Sequence, residues 1–191
     1  MSTIKVGRVE VSCLFLLLCA WLLYRDSGGI AALGLLACSL HELGHYLVLL
    51  LTKNDVKQIS ITAFGAKMHP SKPMSYPAEL LVAAAGPCVN LALAALFCGK
   101  PNGESFAGVN LALAVFNLLP TGELDGARIL RCVAAWSDPD SPTSEWIWCL
   151  GFYFTVLLAV IGVLLALSFR NLTMLLMALW LLMRSRQEKT L

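Results

Sequence analysis

The chain has 191 residues, 58% of them hydrophobic and 14% charged, against about 25% charged in a typical soluble domain. Its mean hydropathy is +0.75, and the apolar residues fall in long runs, which excludes an ordinary soluble globular class and points to an integral membrane protein. The formal net charge is +2, with the cations dispersed at the edges of those runs; this argues against a nucleic-acid partner.

The first apolar run, 11–24, follows Lys5 and Arg8 and is shorter than the ~20 residues that span a bilayer. No small-x-small cleavage site follows it, so a retained helix is expected rather than a signal peptide. The second run, 30–52, is long enough to cross. The connection after it carries Ile59, Ile61 and Ala63 alternating with Ser60 and Thr62. That period of two, with β-branched residues, predicts a strand, and Gly65 is placed to turn it into a hairpin within 56–68. Runs at 78–98, 105–120 and 146–168, and a shorter one at 172–183, complete six predicted spans.

The expected fold is therefore an all-α membrane protein with six transmembrane helices. A small membrane-associated β-hairpin or strand follows the second helix. The whole chain, 1–191, reads as a single domain with no PDZ or nucleotide-sensing domain. With the N-terminus inside, eleven of the Lys and Arg residues fall in inside segments and three, Arg25, Lys100 and Arg170, fall outside. The positive-inside rule then predicts a multi-pass protein with both termini cytoplasmic, and a bacterial cell membrane is the expected location.

The stretch HELGH, 41–45, sits inside the second span. Ionisable side chains there cost roughly 2.5–3.5 kcal/mol each on insertion scales. His41 and His45 are four apart, so on a helix they share one face and can share a tetrahedral zinc ion. Glu42 is placed to act as general base, as in H-E-x-x-H peptidases, where zinc lowers the pKa of its bound water to ~7. A membrane histidine is more often a hydrogen-bonded packing residue, but three such groups in this spacing are hard to reach by accident.

A catalytic zinc needs a third protein ligand and an open position. His69 lies beside Pro70 in the connecting loop and reads as a solvated side chain. The better candidate is in FNLLPTGELDGARIL, 116–130, where an apolar run breaks at Pro120 and a second helical pattern starts at Asp125. Asp125 stands where a helix N-terminus favours a carboxylate, so a plain capping role competes. Glu123 competes for the ligand role. The seven cysteines stand singly and read as small apolar-phase residues, though Cys38, one turn before His41, could approach a metal.

HELGH, together with N-L-L-P-x-x-x-L-D-G at 117–126 and Gly86-Pro87-x-x-Asn90, resembles the site-2 protease family of intramembrane zinc metalloproteases. The resemblance covers roughly residues 30–135. It implies His41, His45 and Asp125 as ligands of one zinc ion per chain, Glu42 as catalytic base, and Asn117 as a polar group near the reacting peptide. Gly86, Asn90, Pro120 and Gly126 would be structural residues near the site. Many members read P-L-D-G-G where this chain has Glu123-Leu-Asp-Gly-Ala127. The compact layout is most similar to the branch containing the sporulation pro-sigma-factor processing protease.

The expected activity is zinc-dependent endoproteolysis of membrane-embedded or membrane-associated proteins, in regulated proteolysis of a transcription regulator. A membrane regulator is an expected further partner. A metal-ion transporter and a catalytically inactive membrane-binding relative are the alternatives. An unpaired strand at 57–63 would be a template for extended substrate, which makes Ser60, Ile61 and Thr62 candidate substrate-binding residues.

Overall fold

The computed structural model describes residues 3–62, 65–122, 124–137 and 143–169, together with 175, 178, 179 and 181. The chain divides into two compact units, Met1–Phe116 and Asn117–Leu191.

The first unit begins with two short strands, β1 (Thr3–Val6) and β2 (Val9–Ser12), then α1 (Cys13–Arg25) and α2 (Ile30–Leu51). The carboxylate of Asp26 accepts hydrogen bonds from the backbone amides of Ile30, Ala31 and Ala32 at 3.1, 2.9 and 3.3 Å. Those amides have no partner inside their own helix, so the carboxylate satisfies them and complements the helix dipole. Strands β3 (Val56–Thr62) and β4 (Gly65–Pro70) follow, then α3 (Tyr76–Phe97) and α4 (Glu104–Asn117). Pro77 opens α3, where a missing amide hydrogen costs nothing.

The four strands form one sheet in the order β1-β2-β3-β4. β1 and β2 form an antiparallel hairpin. β2 runs parallel to β3, pairing Val9 with Ile59, Glu10 with Ser60 and Val11 with Ile61. β3 and β4 are antiparallel, with a register shift between Val56 and Gln58. The strand expected after α2 is present, as the hairpin β3–β4, but β3 is interior rather than an open edge. The N-terminal hairpin covers one side and β4 the other. The premise that Ser60, Ile61 and Thr62 offer free backbone groups is therefore corrected, because β2 and β4 take up that edge. Ala63 lies outside the described residues.

Leu49, Val56 and Val82 form a buried cluster, with Tyr46, Val48, Ile59, Met68 and Met74 packed against it. The cluster ties the end of α2 to the sheet and to the first half of α3. It holds the helix face one turn beyond His45 against the segment of α3 that contains Val82.

The second unit holds α5 (Asp125–Ser137) and α6 (Thr143–Phe169). The second helical pattern expected from Asp125 is α5. Along α6, Leu157, Val160, Ile161, Leu164 and Leu167 are exposed and lie at helical spacing. In water each large apolar side chain left uncovered forgoes about 1.5–3 kcal/mol, so this face suits lipid.

Three of the described helices are long and apolar enough to cross a membrane, with apolar segments Ile30–Leu51, Tyr76–Phe97 and Trp146–Ser168. α1 has 13 residues and α4 has 14, short of the ~20 that cross the hydrocarbon unaided. The expected run at 105–120 ends at Asn117, and the expected first span starts at Cys13 because residues 11 and 12 belong to β2. The predicted sixth span, 172–183, lies largely outside the described residues.

Candidate metal centre

His41 and His45 project from α2 and are both buried, 5% and 7% exposed. Their rings meet edge to face with centroids 4.7 Å apart, as helical spacing dictates. His45 Nδ1 lies 2.6 Å from the Val82 carbonyl oxygen, and His41 Nδ1 lies 2.5 Å from Asn90 Oδ1. Both partners are acceptors, so each Nδ1 carries the proton. In neutral rings each Nε2 then carries no proton, and the two Nε2 atoms stand 3.1 Å apart. Zn–N bonds of ~2.0–2.1 Å in tetrahedral geometry put two nitrogens ~3.3 Å apart, close to the distance observed.

The helix behind the pair leaves room for nothing larger than glycine. A Cβ at Gly86 would fall on His45 Nε2 and lie 2.7 Å from His41 Nε2. The side chain missing at 86 is thus the space in which the two imidazole nitrogens meet.

In the second unit, Asp125 is the first residue of α5 and is 6% exposed. Its Oδ1 stands 3.7 Å from Arg128 Nη1, one turn on. Gly126 lets the preceding turn fold back onto the helix start. A Cβ there would overlap the Leu118 carbonyl and come within 2.8 Å of the Leu119 oxygen. Pro120 ends the apolar run in this same turn. Thr121, next to it, hydrogen-bonds Thr155 of α6, whose hydroxyl donates to the Gly151 carbonyl at 2.8 Å.

No family model matches the chain. It is 37% identical over 108 residues to the candidate zinc metalloprotease sll0528 of Synechocystis, covering 49% of this chain and 28% of that protein. It is 34% identical over 126 residues to the candidate zinc metalloprotease Rip3 of Mycobacterium tuberculosis, covering 58% of this chain and 31% of that one. The chain thus spans about three-tenths of the length of the curated relatives it matches. Among solved structures, a site-2 protease from Methanocaldococcus jannaschii superposes with a TM-score of 0.67 at 24% identity, over 98% of this chain and 95% of the other.

The chain has the site-2 protease fold. The resemblance drawn from HELGH and NLLPTGELDG is thereby matched both by relatives and by architecture. Within this site-2 protease fold, Glu42 is half-buried beside His41 on α2, and Asn117 is half-buried at the end of α4. Cys38 is exposed while Ala37 and His41 are buried. By helical period Cys38 lies near the histidine face, three residues before His41 and seven before His45, but its side chain is exposed. His69 is exposed on β4, as its solvated reading expects. Glu123 lies outside the described residues.

Sequence reasoning missed three contributors, Asn110, Thr121 and Thr155, all buried to within 1%. Asn110 had a usable signal. An asparagine inside an apolar run is costly unless a partner is waiting. Thr121 and Thr155 had none, because threonine is tolerated in apolar helices by bonding its own backbone.

Proposed function

We propose that the chain is a zinc-dependent intramembrane endopeptidase. The observation that carries this reading is the pair of buried histidine Nε2 atoms 3.1 Å apart, with both Nδ1 atoms engaged by acceptors. In this proposal, as the family resemblance implies, His41, His45 and Asp125 would hold one zinc ion, which when bound would supply a Lewis acid that activates water at neutral pH. Glu42 takes the proton from the attacking water and passes it to the leaving amide nitrogen. Asn117 is assigned the reacting carbonyl, as the family resemblance implies.

Glu42→Gln keeps the shape and removes the proton acceptor. We expect cleavage to fall about 10²–10⁴-fold with zinc content and folding retained. Unchanged cleavage would sink the protease reading. A metal transporter would carry metal as before in this variant, and that measurement separates the two.

The substrate class we assign is a single-span or membrane-associated protein, with a membrane-tethered transcription regulator as the first to try in co-expression. Helical peptide bonds are shielded, so the substrate must be held extended. With β3 interior, the outer edge of β4 takes that role: an exposed edge can add a strand through backbone hydrogen bonds. Lys67→Pro and Met68→Pro each remove one backbone donor. Adjacent residues point their donors to opposite sides, so one of the two variants should cleave poorly while still binding zinc. Normal cleavage by both would exclude the β4 edge.

We place both termini in the cytoplasm. Charge asymmetry supports this, and so does the β2–β3 ladder, which keeps the segment before α1 on the same side as the segment after α2. Reporter fusions to the two termini that report opposite sides would refute it.

A further inference from the structure

The two histidines differ in what fixes their protons. His45 Nδ1 faces a backbone carbonyl, Val82 O, which can only accept. His41 Nδ1 faces the side-chain amide of Asn90. Turned over by 180°, that amide would present Nδ2 and demand the opposite histidine tautomer. The opposite tautomer carries its proton on Nε2, the atom that must be bare to take a metal. Some group has to decide which way up Asn90 lies.

The decision can be traced from a fixed point. Asn110 Nδ2 donates to the Phe106 carbonyl at 2.9 Å, and that oxygen has no donor form. Asn110 must therefore turn its Oδ1 the other way, where it accepts from Asn90 Nδ2 at 2.7 Å. Asn90 Nδ2 also donates to the Ala37 carbonyl, at a longer 3.3 Å. With its nitrogen so committed, Asn90 has only Oδ1 to offer His41. Both asparagines are 0% exposed, so water cannot substitute for either partner.

We propose that Asn110 is a positioning residue of the metal centre. Acting through Asn90, it holds His41 in the tautomer whose Nε2 carries no proton, the form that a metal requires. The inference rests on His41 being a metal ligand, and the experiment separates the two claims. The full chain is purified in detergent, stripped of metal, and labelled with ¹⁵N-histidine in a His69→Gln background, which leaves only His41 and His45. Imidazole ¹⁵N shifts then read each tautomer without metal, and chelator competition gives the zinc Kd.

Both rings of the otherwise unaltered protein should carry the proton on Nδ1. Asn110→Leu removes the acceptor and keeps the branched outline of the side chain, though it is bulkier. It should put proton on His41 Nε2, leave His45 unaltered, and weaken zinc binding about 10–100-fold, the usual effect of losing an outer-shell partner. Asn110→Asp still accepts from Asn90 Nδ2 and should recover the Nδ1–H signature and most of the affinity. A purely structural role would lower stability in both variants and move no tautomer.

The proposal is overturned if His41 carries its proton on Nε2 before any substitution at 110. It is equally overturned if Asn110→Leu keeps both the tautomer and the zinc affinity. Should Asn110→Leu fail to fold, Asn110→Asp decides, and loss of Nδ1–H there overturns it. A correct His41 tautomer that responds to Asn110 in a protein that binds no zinc would refute the metal assignment and leave the positioning role standing.

Discussion

The histidine pair and the Asp125 turn supply the two halves of the proposed ligand set, and they are built in opposite ways. His41 and His45 stand on one unbroken 22-residue helix, so their mutual geometry follows from the helical period. Around them stand the Asn90 side chain, the Val82 carbonyl and the space left by Gly86. Asp125 stands on the first residue of a helix that follows a turn, and the glycine next to it meets mostly backbone. The Leu118 and Leu119 carbonyls press on Gly126, and Thr121 is tied to α6 through Thr155. A ligand on a helix inherits its position, whereas one on a turn has to be held there by packing.

The sharpest way to break this comparison is to remove the carboxylate itself. Asp125→Ala should abolish cleavage and strip zinc retention, measured as metal per chain after gel filtration, while Glu123→Ala should be milder. Metal content that follows Glu123 and ignores Asp125 would move the second half of the ligand set to the other carboxylate.

Next come the two glycines, which test side-chain against backbone crowding. Gly126→Ala drives a methyl into carbonyl groups that cannot move without moving the turn. We expect about 1–3 kcal/mol of lost stability, the usual cost of overpacking. Gly86→Ala meets imidazole nitrogens instead, and its alanine gains up to ~1 kcal/mol of helix propensity. Stability should change less there, while zinc affinity falls more. Thermal unfolding and chelator competition on the same two samples would show the crossover; identical rank orders in both would remove the distinction.

The smallest expected effect is Thr155→Val. It keeps shape and removes one hydroxyl from the tie between α6 and the turn, worth about 1 kcal/mol. Zinc affinity should fall only in proportion to the loosening of Asp125. No change in either stability or zinc binding would mean that the turn is held by Gly126 packing alone.

How far the sequence could be read follows from the same contrast. The ligand helix was legible because spacing and burial cost are local properties, and both converge on residues 41–45. The start of α5 at Asp125 was legible because Pro120 cannot continue a helix and an acidic residue suits a first turn. The sheet was legible only in part. Alternation over 56–62 showed a strand, but nothing local shows that Val9–Ser12 will pair with it across nearly fifty intervening residues. That unseen partner turned an expected open edge into an interior strand. The relay behind His41 was hidden for the same reason, since Asn90 and Asn110 stand 20 residues apart and meet only when α3 and α4 pack.

The parallel ladder between β2 and β3 also sets an order in time. The β1–β2 hairpin closes over a two-residue turn and can form as soon as it leaves the ribosome. Its docking onto β3 must wait until α1 and α2 have both been synthesised and placed, because they are the connection between the paired strands. Closing that long loop is entropically costly and comes before any reward from pairing. The sheet is therefore the late-assembling part of a helical protein. The amide hydrogen of Ile59, which donates to the Arg8 carbonyl at 2.8 Å across this ladder, should gain exchange protection after those of α2, so the same pairing that completes the sheet also records when the membrane helices are in place.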